Sequence, residues 1–109
     1  MSLRSPSILR IHSNSSNGVS TLELDGELDF GVIDQLATAY ADARATGTDT
    51  IVLDLSKLQF ADCSAVRLLM QLAEKSQNNG HRLTLRRGPA RVQRVFELTG
   101  TVDALPFEG

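Results

Sequence analysis

Alternation of apolar and polar positions opens the chain. Ile8, Leu9 and Ile11 predict a first strand. Ser20 to Asp25 predict a second, in which Leu22 and Leu24 share one face while Thr21 and Glu23 take the other. The intervening Ser13-Asn14-Ser15-Ser16-Asn17-Gly18 is rich in turn formers, so the two strands are expected to form an antiparallel hairpin. Gly26-Glu27-Leu28-Asp29 is then expected to leave the sheet. From there the period lengthens: Ile33, Leu36, Ala37 and Tyr40 fall at i, i+3, i+4 and i+7 of an amphipathic helix stopped by Gly47. Ile51, Val52, Leu53 and Leu55 form a short apolar block with β-branched residues, which reads as a mid-sheet strand covered on both faces. The helical period returns with Val66, Leu69, Met70 and Ala73, widened by Leu68 and Leu72. It ends at Gly80, which suits a left-handed cap. Arg82 to Arg86, with Leu83 and Leu85 on one face, predicts another strand. Pro89 suits the first turn of a third helix, whose Val92, Val95, Phe96 and Thr99 are expected to face the core and whose cap is Gly100. Ala104-Leu105-Pro106-Phe107 is a candidate short edge strand.

The order β-β-α-β-α-β-α predicts an α/β fold with a mixed four- to five-stranded sheet, opened by a β-hairpin. Right-handed crossovers added in one direction put the helices mainly on one face. Sites in such sheets gather at the carboxyl ends of the parallel strands. The Gly26 to Asp29 loop and the Phe60 to Ser64 loop both follow such ends, and are expected to be neighbours on one rim.

With 109 residues the chain is expected to form a single domain, its core spanning about residues 7–107, with no functional weight on Met1-Ser2-Leu3 or Glu108-Gly109. No apolar run approaches the ~18 residues of a membrane span. No basic region followed by an apolar one marks a signal peptide. Cys63 stands alone, which excludes an internal disulfide and points to a reducing cytoplasm. Net charge is only −2 but unevenly spread. Between Glu23 and Asp62, Glu23, Asp25, Glu27, Asp29, Asp34, Asp42, Asp49, Asp54 and Asp62 face only Arg44 and Lys57. Between Cys63 and Arg94, Arg67, Lys75, Arg82, Arg86, Arg87, Arg91 and Arg94 face only Glu74. Such a split often means that one charged face meets a partner of opposite sign, although solvated surface is the simpler reading for any single residue.

Chemistry concentrates at Asp62-Cys63-Ser64, where the apolar strand passes through a short loop into the second helix. Backbone N–H groups at a helix start lack partners inside the helix, so Ser64 is compatible with a cap, a bound anion or a covalent phosphate. The sequence alone does not choose among them. Arg67 stands three residues on, so no capping box is present. Asp62 is read either as a cap and loop support or as a group that orients the serine or meets a partner. A helix N-terminus lowers the pKa of a thiol such as Cys63, while the adjacent Asp62 opposes that effect. His12 and His81 have no ligand spacing to each other or to Cys63, so neither a metal nor any other cofactor is expected.

Three other classes fail on the residues. A cysteine phosphatase needs a longer phosphate-wrapping loop between its cysteine and arginine than the three residues between Cys63 and Arg67. Asp54, at the end of Val52-Leu53-Asp54, is similar to the phosphoacceptor of a response-regulator receiver, but that fold opens with a βα unit and this chain with a hairpin. Arg82, Arg86, Arg87, Arg91 and Arg94 lack interleaved aromatics in an acidic chain, which disfavours direct nucleic-acid binding.

Three stretches resemble the STAS domain family, and within it the small stand-alone anti-sigma factor antagonists of bacteria. They are Leu24-Asp25-Gly26-Glu27-Leu28-Asp29, Ile51-Val52-Leu53-Asp54-Leu55-Ser56 and, above all, Phe60-Ala61-Asp62-Cys63-Ser64-Ala65-Val66. The resemblance covers nearly the whole chain. Family members typically carry Asp-Ser-Ser-Gly-Leu at the last stretch, with the second serine phosphorylated by the partner kinase; the match makes Ser64 the candidate phosphoacceptor. Ala65 stands where the family usually has glycine, and Cys63 replaces the first serine. The resemblance implies a non-enzymatic protein-binding module in the cytoplasm. Its partner would be an anti-sigma factor with serine-kinase activity, bound in the unphosphorylated state and released by phosphorylation, which controls sigma-factor-dependent transcription. Asp29, Glu27, Asp62, Cys63 and Ala65 are the expected partner-binding residues around Ser64. The alternative it implies is a phosphorylation-independent STAS scaffold subunit of a lipid-transport or stress-signalling complex.

Overall fold

The computed structural model describes residues 8–108, so residue 7, Met1-Ser2-Leu3 and Gly109 lie outside the described residues. The elements are β1 (Leu9–Ser16), β2 (Val19–Leu28), α1 (Ile33–Ala45), β3 (Thr50–Ala61), α2 (Cys63–Asn79), β4 (Arg82–Arg86) and α3 (Ala90–Leu98), followed by a 3-10 turn at Val102–Ala104. One sheet has the order β1-β2-β3-β4. β1 runs antiparallel to β2, while β2, β3 and β4 are parallel, as two crossovers through α1 and α2 require.

The hairpin is tighter than its composition predicts. β1 and β2 stay paired from Leu9↔Gly26 to Ser16↔Val19, so only Asn17 and Gly18 turn the chain. Both have positive φ, 54° and 80°, the conformation that a two-residue hairpin imposes. Ser13 to Ser16 are therefore strand residues. Their polarity reflects an exposed edge strand rather than a loop.

β2 buries every second residue, with Leu22, Leu24 and Leu28 inside. These leucines, with Ile51, Leu53 and Leu55 of β3 and Leu83 and Leu85 of β4, form the sheet side of the core. Leu36 and Tyr40 of α1, Val66, Leu69, Leu72 and Ala73 of α2, and Val92 and Phe96 of α3 cover it. No helix among the described residues covers the opposite face, yet Val52 and Asp54 on it are 7% and 8% exposed, so residues 51–55 of β3 are buried on both faces, as expected. Val52 lies outside the core cluster, flanked across the strands by Thr21 and Thr84. Ion pairs run across that face: Arg10–Asp25 at 3.2 Å, Lys57–Glu23 at 3.0 Å and Arg86–Asp54 at 3.7 Å.

Smaller departures have local causes. Met70 falls on the flank of the helical stripe and is 37% exposed. Thr99 is exposed and ends α3 by donating its hydroxyl to the Val95 carbonyl at 2.8 Å, so it faces away from the core. The tail contributes a single parallel bridge, Leu85↔Phe107, with Leu85 N donating to the Pro106 carbonyl and Glu108 N to that of Leu85, each at 2.9 Å. Glu108 also pairs with Arg86 at 3.5 Å, so this terminal residue does take part in the structure.

Tyr40 Oη and His81 Nε2 share a hydrogen bond that ties α1 to the start of β4. Burial pushes the Tyr40 phenol up to about 12, against the lowering influence of Arg44, so the phenol keeps its proton. Burial, and then the Arg44 charge, hold His81 below its ordinary 6.5. Tyr40 therefore donates to a neutral imidazole. Because the folded value is depressed, this contribution to stability is complete above 6.5 and is lost as pH falls from there through the lower folded value. Between pH ~7 and ~5 the melting temperature of the wild type should fall more steeply than that of His81→Gln. Parallel curves would show that His81 is not the titrating group.

Candidate functional site at the start of the second helix

The two segments expected to meet on one rim do meet, and more of each is strand than the sequence implies. β2 continues through Gly26, Glu27 and Leu28, and β3 through Phe60 and Ala61, with Glu27↔Phe60 and Leu28↔Ala61 in register. Leu28, Leu58 and Ala61 are buried, and their packing holds both strands in the sheet to its edge. Asp62 N then donates to the Leu28 carbonyl at 3.3 Å, and the chain turns into α2 within one residue.

Asp62 is the N-cap. Its backbone is extended, and Oδ1 accepts from Ser64 N at 2.9 Å and Ala65 N at 3.2 Å. Oδ2 accepts from Phe30 N at 3.3 Å, so the same carboxylate ties the β2–α1 loop to the start of α2. Ser64, one residue inside the helix, is left half-buried without a capping role, and its hydroxyl makes no hydrogen bond to another described group. This removes the cap from the three alternatives left open for Ser64.

Asp29 folds its own loop: Oδ1 accepts from Gly31 N at 2.9 Å and its carbonyl from Val32 N at 3.1 Å. Glu27 fastens the beginning of the described chain, its N donating to the Ile8 carbonyl at 2.9 Å and its Oε1 accepting from Ile8 N at 3.4 Å. Cys63 is exposed beside Ser64. Ala65 is 0% exposed and packs beneath the helix start, so it presents no surface to a partner and supports Ser64 from below.

Two groups at this rim escaped the sequence reading. Phe30 is 76% exposed and Phe60 is 48% exposed. Phe30 sits in the loop that Asp62 holds, and Phe60 is opposite Glu27 in the strand register. Their signal was present: an aromatic inside Asp29-Phe30-Gly31, and one between polar Gln59 and the small Ala61, both where no apolar period requires them. Exposed aromatics at the same end of the sheet as these carboxylates offer apolar area suited to a protein partner.

Asp54, weighed above as a receiver phosphoacceptor, is committed elsewhere. It is 8% exposed, and its Oδ1 accepts from Ser56 N at 2.9 Å. Burial raises its pKa, but the hydrogen bonds with Ser56 and then the Arg86 charge outweigh that and hold it below the usual carboxylate range. Among the described residues no group of three or more His, Cys, Asp or Glu side chains is placed to hold a metal ion.

A helical layer on a mixed sheet opened by a hairpin, with parallel strands joined by two crossovers, defines a class of small α/β folds. Within that class the chain belongs to the STAS domain family: the model described as "Mlab, STAS domain" matches residues 11–106. An anti-sigma-B factor antagonist of Staphylococcus aureus is 24% identical over 97 residues, covering 89% of this chain and 90% of that one. An anti-sigma factor antagonist from Mycobacterium paratuberculosis has the same fold, with a TM-score of 0.78 at 21% identity over 96% of this chain and 89% of its own. The unphosphorylated form of the anti-sigma factor antagonist SpoIIAA superposes with a TM-score of 0.74 at 20% identity, over 92% and 89% of the two chains. The phosphorylated form of the Bacillus cell fate determinant SpoIIAA gives 0.66 at 20% identity, over 94% and 92%.

Proposed function

We propose that this chain is an anti-sigma factor antagonist of the cytoplasm. It binds an anti-sigma factor with serine-kinase activity through the rim around Ser64, and phosphorylation of Ser64 switches the contact off. The observation that carries this reading is the half-buried Ser64, two residues beyond the Asp62 cap, its hydroxyl unbonded among the described residues. The STAS family membership and the names of the relatives support it. Phe30 and Phe60 supply apolar contact area, and Glu27, Asp29, Asp62 and Cys63 its polar surround. In the transfer, the γ-phosphoryl group of ATP moves to Ser64 Oγ, ADP leaves, and the hydroxyl proton passes to a base on the kinase. The added charge of about −1.5 to −2 sits beside Asp62, and a partner packed on the rim meets both repulsion and steric exclusion.

One observation favours the alternative of a constitutive scaffold subunit. The amides of Ser64 and Ala65 already bond to Asp62, so neither is free to receive a phosphate.

The test is to incubate the protein with candidate anti-sigma kinases and ATP, map any phosphate by mass spectrometry, and measure binding before and after. The expected result is phosphate on Ser64 and a loss of affinity of about 100-fold, roughly 2.7 kcal/mol. Tight binding without phosphate, with Ser64→Ala and Ser64→Asp both binding as wild type does, would move the function to the scaffold.

A further inference from the structure

Three of the amides around Ser64 are occupied. Ser64 N and Ala65 N donate to Asp62 Oδ1, and Val66 N donates to the Asp62 carbonyl at 3.3 Å. The Asp62 carboxylate also places a like charge beside any phosphate on the serine. A side-chain cation would offset that like charge, and α2 carries one close in sequence.

Arg67 lies three residues after Ser64 and four after Cys63 in α2, a spacing that puts all three on one side of the helix. Helical side chains lean toward the N-terminus, which carries the Arg67 guanidinium back over the turn that holds Ser64. Arg67 is exposed. The ion pairs among the described residues commit Arg10, Lys57 and Arg86 to carboxylates across the second sheet face, and Arg67 takes part in none of them. Lys75, the other cation of α2, is more than two turns further along the helix.

We propose that Arg67 is the counter-ion of a phosphate on Ser64, so that modification also withdraws this arginine from the docking face. The proposal rests on reading Ser64 as the switch. It adds a second physical effect to that switch: the phosphate brings negative charge to the rim, and its pairing with Arg67 removes a positive donor from the same surface. An arginine in this position holds a dianionic phosphate through charge-assisted hydrogen bonds, and the domain tolerates the modification despite the neighbouring Asp62 charge.

The experiment installs phosphoserine at position 64 during translation, so that it needs no kinase, and follows the second phosphate ionisation by phosphorus NMR across pH. The wild type should ionise about half a pH unit below Arg67→Gln, with Arg67→Lys in between, and the gap should narrow at high salt. The unphosphorylated Arg67→Gln protein should melt as wild type does, because the side chain is exposed. Identical ionisation in wild type and Arg67→Gln would overturn the proposal. Should the ionisation gap appear while no anti-sigma kinase modifies the wild type, the pairing stands and the switch fails. Kinase modification of Ser64 with no gap sinks the role of Arg67 alone.

Discussion

Phe96→Ala should cost about 3–5 kcal/mol, a large share of the ~5–15 kcal/mol that holds a domain of this size. Phe96 is 0% exposed, and its ring meets that of Phe107 edge-on at 5.2 Å. Truncation forfeits the transfer of an aromatic ring from water and leaves a cavity between α3 and the sheet, because the surrounding core relaxes only in part. The effect should spread along a defined path. Phe107 bridges Leu85 at the free edge of β4 and packs beneath Arg87, whose guanidinium lies 5.2 Å from the ring centroid, so the tail loosens together with α3. Urea denaturation of the variant should show a lower midpoint at unchanged slope. A loss below about 1.5 kcal/mol would mean that α3 collapses onto the sheet and fills the space.

Gly26→Ala should be the second most damaging single change, at roughly 2–4 kcal/mol, because two separate costs add. Gly26 has φ +115°, where an L side chain is strained, and a Cβ there would overlap the Ile8 carbonyl oxygen. That oxygen belongs to backbone and accepts from Glu27 N at 2.9 Å, so relieving the overlap means moving β1 away from β2 and breaking a strand bond. Gly100→Ala is the matched control. Gly100 also has positive φ, +69°, but nothing lies within 4 Å of its Cβ position, so only the conformational cost of ~1 kcal/mol applies. Thermal melts of the two variants should differ by several degrees. Gly26→Ala should also weaken partner binding in the folded fraction, since the shift passes through Glu27 into the strand that faces Phe60. Equal melting of the two variants would show that β1 yields without cost.

Much of the fold could be read from the sequence because burial on one face leaves a periodic trace. Leu22 and Leu24 alternate with Thr21 and Glu23, and Leu36 and Tyr40 recur at helical spacing, so the elements and their inward sides followed directly. The order of elements, with the handedness of crossovers, then led to the sheet topology and the shared rim. Where apolar periodicity stopped, so did the reading. Ser13 to Ser16 read as loop because an edge strand need not be apolar.

The candidate site divides along the same line. Asp62, Cys63 and Ser64 stood out in the chain because a hydroxyl follows an acid where a strand becomes a helix. Which of them caps that helix is a matter of backbone direction, and the extended Asp62 settles it by aiming its carboxylate at the amides of Ser64 and Ala65. Phe30 and Phe60 are far apart in sequence. Their segments come to the same end of the sheet only because Leu28 pairs with Ala61 and the Phe30 amide bonds to Asp62.

The sequence by itself determined the elements, their inward faces and the place where chemistry gathers, since these follow from local periodicity and from residue types next to one another. Only the tertiary structure decided that ion pairs run across the second sheet face, that Ala65 is buried beneath the helix start, and that the Ser64 hydroxyl is unbonded among the described residues. Exposure and hydrogen-bond partnership depend on residues brought together from distant parts of the chain, which no local pattern records.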